Sequence, residues 1–472
     1  MNVVTLSSNV IRGCMLSPLE SRILDKNSEC LGVPINVLME NAGRELAKVV
    51  DTFATGKILF ICGSGNNGGD GYAASQFLKT KADYCHFREP KSDLCIETSK
   101  KVFSQRYSPE LMTNYDTIVD CVLGTGIEGA LKQPYVDFID TLNSLKKNVI
   151  SCDVPSGLGT DHSVIANITV TFHEKKIGMS EQNCGRIIVS DIGIPEEAKT
   201  HLNKGDFLRY PIPKDDSHKG QNGRLIIVGG GPFVGAPISA ALAATRIGTD
   251  LVTIFTPKRS FIPIASHSTA YIVKELSSDN LCMEDVNTIL NACKSADALL
   301  IGPGLGCEGT TVAEATRAIV ESAEIPIVID ADAITHVAGF ETLYNNVVFT
   351  PHKRELSRLI GQDEPSDEVI QRLCDNGTVI LRKGRIDRIY NGTEIRYNQS
   401  GCSGMTVGGT GDVLAGIVAG LLSKGMSNFD SACLGAYICG LAGRMAFDEY
   451  SYGMNSEDVI AHIGHVLKEG LE

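Results

Sequence analysis

The sequence predicts an α/β protein made of two three-layer domains in one chain, each a parallel sheet flanked by helices. Three observations predict it: the length, an alternation of short apolar runs with amphipathic stretches, and glycine-rich turns placed directly after those runs. At 472 residues the chain exceeds what one hydrophobic core usually supports. The alternation is the pattern of parallel strands joined by helical crossovers. The 48 glycines fall in clusters without a fixed period, which marks tight turns and close backbone approach rather than a fibrous repeat.

Composition narrows the function classes. The 43% hydrophobic and 21% charged residues are ordinary for a globular protein. A net charge of −13, with Lys and Arg scattered, argues against a nucleic-acid partner. No apolar run approaches the ~18 residues of a membrane span, and no basic leader precedes an apolar block, so a cytoplasmic protein without membrane association is expected. The 15 cysteines form no C-x-x-C pair and no zinc-spaced cluster. Cys62, Cys121, Cys152 and Cys293 stand in or beside apolar runs and are expected as buried free thiols. In such a compartment the sequons at Asn167, Asn391 and Asn398 carry no meaning.

In the first half, Lys57–Cys62, Thr117–Leu123, Val149–Val154 and Ile168–Phe172 read as strands. In the second half, strands are expected at RLIIVGG from Arg224, LVTIF from Leu251, ALLIGPG from Ala298, PIVIDAD from Pro326, VVFTP from Val347 and TVILRKG from Thr378. Nearly all end in Gly, Asp or Pro, and ligands of open α/β sheets bind outside the carboxyl ends of strands. Leu208–Gly223 is polar and rich in Pro, Asp, Lys and Gly. A boundary near Pro211–Ser217 gives domains of residues 1–211 and 212–472, with no internal repeat.

KILFICGSGNNGGDGYAASQFL reads as strand, glycine loop and helix. Gly63, Gly65 and Gly68 satisfy G-x-G-x-x-G, which an ordinary dinucleotide fold would also show. That fold wants an acidic residue about twenty positions on. Asp83 is the candidate, but it precedes the apolar Tyr84–Phe87 instead of ending a strand. No Gly-Lys-Ser/Thr follows, so a Walker loop is excluded. Asn66, Asn67 and Asp70 remain unexplained; two amides and a carboxylate can bind a polar ligand or offer oxygens to a hard cation. DCVLGTGIEGA carries Asp120 into a glycine turn, and SCDVPSGLGTD carries Asp153 and then Ser156. One such turn is usually structural. Three at the strand ends of one sheet point to a site.

LMENAGREL (Leu38–Leu46), GNNGGDG (Gly65–Gly71), GTGIEG, DVPSG and TFHEKKIGM (Thr171–Met179) stand in the order seen in the N-terminal domain of NAD(P)H-hydrate repair enzymes, and residues 10–210 resemble it. The resemblance implies a Rossmann-like epimerase that interconverts the R and S forms of NADHX and NADPHX, the hydrates of reduced nicotinamide cofactors. It implies that Asn66, Asn67, Gly68, Gly69 and Asp70 hold the hydrate together with Gly124, Thr125, Gly126, Ile127, Glu128, Gly129 and Ala130. It further implies that Asn67, Asp120 and Ser156 ligate potassium and that Asp153 lies against the substrate. Epimerisation needs a carboxylate to shuttle a proton. Asp153 is the catalytic candidate and Asp120 the alternative.

In CSGMTVGGTGDVLAGIVAGLLSKG (Cys402–Gly425) a glycine-dense turn runs straight into an Ala-rich apolar helix, so free N–H groups and the helix dipole face an anion. A carboxylate at Asp412 could be a simple cap. Gly408, Gly409 and Gly411 exceed what a cap needs and suit a backbone wrapped round phosphate. The G-T-G-D turn resembles that of the ribokinase-like superfamily, in which the Asp activates an acceptor hydroxyl. ALLIGPGLG, IVIDADAI, TPHKRE and ILRKGR follow the order of ADP- or ATP-dependent NAD(P)H-hydrate dehydratases over residues 215–470.

That second resemblance implies that Ala236, Gly306, His352 and Asp412 contact the hydrate. It implies that Lys383, Gly384, Arg385, Ile386 and Asp387, with Gly409, Thr410 and Gly411, contact ADP or ATP, and that magnesium bridges the phosphates. Asp412 is the catalytic candidate: it would take the hydroxyl proton while phosphate is transferred to the hydrate and then eliminated. The loop Lys383–Gly392 departs from the family by adding Arg385 and Arg388, and Gly229–Pro237 is bulkier than usual. The nucleotide is left open, with analogy favouring ADP, and a homo-oligomer is expected. The alternative is a small-molecule kinase fused to a nucleotide-binding domain.

Overall fold

Every apolar run read as a strand forms one. The structure, a computed structural model, describes residues 15–127, 129–307, 310–339 and 346–472. The chain divides into two compact units between Ala198 and Lys199. Leu202 and Phe207 bury in the core of the second unit, so the segment ahead of the polar Leu208–Gly223 stretch packs as part of that unit.

Among its described residues the first unit holds seven strands: β1 (Ile58–Cys62), β2 (Ala82–His86), β3 (Gln105–Arg106), β4 (Thr117–Cys121), β5 (Asn148–Cys152), β6 (Ile168–Phe172) and β7 (Arg186–Ser190). All neighbours run parallel in the order β3-β2-β1-β4-β5-β6-β7. Every residue of β1, β4 and β6 is buried, as a parallel sheet covered on both faces requires. Leu38, Leu46 and Val50 of the Ile35–Phe53 helix pack with Phe60 and Val119 on one face. Phe138, Ile139 and Leu142 of the Tyr135–Ser144 helix pack with Leu59 and Ile118 on the other. Cys62, Cys121, Cys152 and Cys293 are buried free thiols. Asp83 lies inside β2 and accepts from the Tyr115 hydroxyl at 2.9 Å, so it does not end a strand as a ribose partner would.

Among its described residues the second unit holds nine strands: β8 (Arg224–Val228), β9 (Leu251–Thr256), β10 (Ile272–Glu275), β11 (Ala298–Ile301), β12 (Ile327–Ile329), β13 (Val347–Phe349), β14 (Val379–Arg382), β15 (Asp387–Tyr390) and β16 (Ile395–Asn398). Their order is β10-β9-β8-β11-β12-β13-β14-β15-β16, parallel through β14, with β15 and β16 added antiparallel. The Thr410–Ser423 helix is buried from Val413 to Ser423, which explains its near-total lack of polar residues. It runs alongside the Gly235–Arg246 helix: a Cβ on Gly416 would strike the backbone of Ala240, and one on Gly420 would meet Ile247 and Ala244. That register makes the two helices parallel, with both N-termini at the same end. No helix among the described residues is long and apolar enough to cross a membrane.

Both sheets reverse their strand order once near the middle, between β1 and β4 and between β8 and β11. A reversal leaves a crevice at the carboxyl ends of the two central strands, because their connections depart to opposite faces.

Candidate active sites

The crevice of the first unit is a cavity of about 450 Å³. Asn66, Asn67 and Asp70 line it from the turn and helix after β1, and Gly124, Thr125, Gly126 and Ile127 from the loop after β4. The turn is tight: a Cβ on Gly68 would collide with the Gly63 carbonyl, so only glycine lets the helix start this close to its strand. Gly68 and Gly69 are therefore buried shapers of the turn and do not line the cavity. Gly129 and Ala130 are exposed and stand outside it, and Glu128 lies outside the described residues.

Behind the loop, Asp120 of β4 is fully buried. Its Oδ1 accepts from the Ser156 hydroxyl at 2.6 Å and the Val122 N–H at 3.3 Å; its Oδ2 accepts from the Ser156 N–H at 2.8 Å and the Ser151 hydroxyl at 3.1 Å. Burial pushes its carboxyl above the ordinary value although these four neutral donors pull the other way. Ser156 also accepts from the Leu123 N–H at 2.8 Å. Asn67 stands against Gly124 with both amide atoms buried and without a hydrogen-bond partner. Of the three residues that the resemblance implies as potassium ligands, Asp120 and Ser156 are hydrogen-bonded to each other, and Asn67 keeps a buried, unpartnered amide against Gly124.

Asp153 follows β5, and Lys176, which no sequence argument singled out, pairs with it at 2.6 Å. Asp25, on the Pro18–Cys30 helix, and Asp70 complete an acidic lining. Burial, then the charge of Asp153, raises Asp25 to about 6; burial, then Asp153 and Asp25, holds Asp70 well above the usual carboxylate range. Asp25 and Lys176 escaped sequence reading, because Asp25 lies far upstream of the strand ends and Lys176 sits one residue from an identical Lys175.

In the second unit a cavity of about 990 Å³ is lined by His352, Lys383, Gly384, Arg385, Ile386, Asp387, Thr410 and Gly411, with Arg444 and Met405. Gly409 caps the Thr410–Ser423 helix in the left-handed conformation at φ +92°, which leaves the first N–H groups of the helix unpaired with side chains. Asp412 lies in the first turn. Its carboxyl is raised to about 7 by burial, then by Asp330, against the pull of Lys383. Lys383 Nζ reaches Asp330 Oδ1 at 2.9 Å, and the Thr350 hydroxyl donates to the same oxygen at 2.6 Å. Burial alone would lower Lys383; Asp330 and Glu355 reverse this and raise it.

Gly306 is held from both sides, its N–H donating to Asp332 at 2.8 Å and its carbonyl 3.0 Å from His336 Nε2. Ala236 occupies the first turn of the Gly235–Arg246 helix. Ala236, Gly306 and Asp412 are not among the residues that line the 990 Å³ cavity, whereas His352 is. His352 caps the Lys353–Ile360 helix: Nδ1 accepts from the N–H groups of Arg354 and Glu355 at 3.1 Å, which places the ring proton on Nε2. Asp387 is turned inward, accepting from the Gly384 N–H and the Asn398 amide at 3.0 Å each, and shapes the Lys383–Asp387 turn. Arg388 is tied to Asp367 at 2.7 Å, whereas Arg385 faces the cavity.

The NAD(P)H-hydrate dehydratase family model matches residues 224–465, and the model of the YjeF-related protein N-terminus matches residues 35–178. A protein of Methanothermobacter thermautotrophicus named as a bifunctional NAD(P)H-hydrate repair enzyme is 36% identical over 97% of this chain and 96% of its own length. One of Archaeoglobus fulgidus with the same name is 35% identical over 96% and 98%. Among solved structures, a ribokinase-like superfamily protein of Enterococcus faecalis is 28% identical, covers 57% of this chain and 96% of its own, and superposes with a TM-score of 0.51. A hypothetical protein of Streptococcus mutans does so at 26% identity, 57% and 99% coverage, and 0.52.

Proposed function

Because the chain belongs to the bifunctional NAD(P)H-hydrate repair enzymes, we propose that the cavity at Asp153 interconverts the R and S hydrates and that the turn at Gly408–Asp412 drives dehydration of the S form. The chain then carries an epimerase and an ADP- or ATP-dependent dehydratase. The observation that carries the reading is Asp412, a carboxyl raised to about 7 in the first turn of a helix whose first N–H groups have no side-chain cap and suit an anion.

In the dehydratase, Asp412 takes the proton of the hydrate hydroxyl as its oxygen attacks the terminal phosphoryl group of the nucleotide. The amides of Gly409–Gly411 stabilise charge on that group, and Lys383 presents a buried ammonium beside it. The phosphate ester is then expelled from the ring carbon, a ring proton is lost, and the dihydropyridine is restored. Phosphate and the shortened nucleotide are the products. Gly306, clamped by Asp332 and His336, gives the hydrate a fixed backbone wall, and His352 stands with Nε2 3.5 Å from Glu355 Oε1.

In the epimerase, the donor set of Asn67, Asp120 and Ser156 fits potassium. The Asn67 amide is buried and unpartnered, and the buried Asp120 carboxylate is held only by neutral donors. An ion held there would supply positive charge against that carboxylate. In the second unit no group of three or more His, Cys, Asp or Glu side chains among the described residues is arranged to hold a metal ion. Magnesium would be held together with the nucleotide phosphates, a common arrangement for that ion.

The test is to incubate the protein with an R/S mixture of NADPHX and either ADP or ATP. Both epimers should disappear, with recovery of the near-ultraviolet absorbance of reduced nicotinamide. If the R form is consumed only at its spontaneous equilibration rate, the epimerase reading fails. A stable phosphorylated product without NADPH would sink the dehydratase reading.

A further inference from the structure

β5 and β6 end side by side, and the residue that follows β5 is Asp153, with φ +60°. The left-handed region is costly for a residue with a Cβ and persists only where the surroundings over-determine it. Here the Asp153 N–H donates to the Val170 carbonyl at 2.7 Å. Its side chain is held through one oxygen, Oδ1, which receives Lys176 Nζ at 2.6 Å, the Phe172 N–H at 3.3 Å and the Thr171 hydroxyl at 3.4 Å.

Lys176 is 4% exposed, and its ammonium is spent in the same place. Besides Asp153 it donates to the Phe172 carbonyl at 2.6 Å and to Thr171 Oγ1 at 3.0 Å. Three donors meet three acceptors, so the ammonium has nothing left to give a ligand. Asp153 Oδ2 is the oxygen not engaged by these donors, and Asp153 lines the cavity. Arg22, Asp25, Asp70 and His173 line it too.

We propose that Lys176 is a positioning residue of the epimerase: it locks Asp153 through Oδ1 in the strained backbone conformation and leaves Oδ2 to exchange a proton with the hydrate. The inference rests on the reading of this cavity as the epimerase site. It assigns the base to Asp153 rather than Asp120, whose two oxygens are both engaged by protein donors.

The experiment uses the full-length protein and follows R-to-S conversion of NADPHX by separating the epimers, without nucleotide. Lys176→Met should lower kcat by about tenfold or more and leave KM nearly unchanged, since the hydrate is still bound but its base is misaimed. Introduced on top of Asp153→Asn, Lys176→Met should cost nothing further, because the two act as a unit. Thr171→Val removes one acceptor from Lys176 without removing a charge, and should lower kcat in the same pattern but less. It keeps the test alive if loss of the buried ammonium unfolds the unit. A rise in KM at constant kcat, losses that multiply in the double variant, or wild-type kcat in both single variants would overturn the assignment. A wild-type protein that dehydrates S-NADPHX yet does not convert R to S would instead overturn the reading of the cavity.

Discussion

Lys383 Nζ lies 2.9 Å from Asp330 Oδ1, and the carboxyl of Asp412 sits within the field of that pair. Asp412 therefore has to ionise against Asp330 with partial help from Lys383, and its pKa of about 7 reflects burial first and this neighbourhood second. A base must be deprotonated, so dehydratase kcat should rise with pH through about 7. Asp330→Asn removes the like charge and should move that rise to lower pH, measured as kcat against pH with saturating nucleotide and S-NADPHX. The stability sign is opposite to that of a paired carboxylate. A folded pKa raised above the unfolded value makes ionisation of Asp412 a cost, absent below the unfolded pKa and complete above about 7. Asp412→Asn should thus abolish dehydration and yet stabilise the second unit above neutrality by about 1–3 kcal/mol, read by thermal unfolding.

Asn67 presents a buried amide without a protein partner against Gly124, in the loop that follows β4. Asn67→Ala should raise the potassium concentration for half-maximal epimerisation by about tenfold or more. The titration is done in KCl at ionic strength held constant with a tetramethylammonium salt. An unchanged potassium dependence would remove Asn67 from the ligand set.

At Gly68 a Cβ has nowhere to go but into the Gly63 carbonyl, which is backbone and cannot rotate away. Gly68→Ala should cost about 1–3 kcal/mol in the unfolding of the first unit. Epimerase activity should fall with it while dehydratase kcat stays at the wild-type value. Equal losses in both activities would mean that the two units do not fold independently.

The two arginines that distinguish the Lys383–Gly392 loop have separate fates. Arg385→Ala should raise the KM for nucleotide, because this side chain faces the cavity. Arg388→Ala should leave that KM alone and cost at most about 1 kcal/mol of stability, since its pair with Asp367 is partly exposed. A nucleotide KM that responds to Arg388 and not to Arg385 contradicts this assignment.

Much of the site was legible because strand-end chemistry is local. The glycine turns after β1, β4, β8 and β11 follow apolar runs that read as buried strands, as does Asp153 after β5, while Asp120 lies in the run of β4 itself and Asp412 opens an apolar helix. What sequence order does not carry is which partner meets a given side chain. His352 read as a ligand contact; it lines the cavity, and its Nδ1 also caps the helix that begins beside it. Asp387 read as a nucleotide contact; it lines the cavity, and its carboxylate accepts from the Gly384 N–H, a partner that sequence order does not name. Asp330 and Asp332 lay in a run of alternating acid and alanine, and nothing in that run says that one would meet Lys383 and the other Gly306.

The sequence by itself determined the two α/β units, the loops that carry their chemistry and the family to which they belong, because periodic burial and glycine turns are properties of contiguous residues. Only the tertiary structure decided that Lys176 clamps Asp153, that Asp25 joins the first cavity from a distant helix, and that Asp412 titrates near neutrality. These depend on charges brought together in a low-dielectric interior by strands far apart in the chain, where distance and burial, not spacing along the sequence, set the interaction.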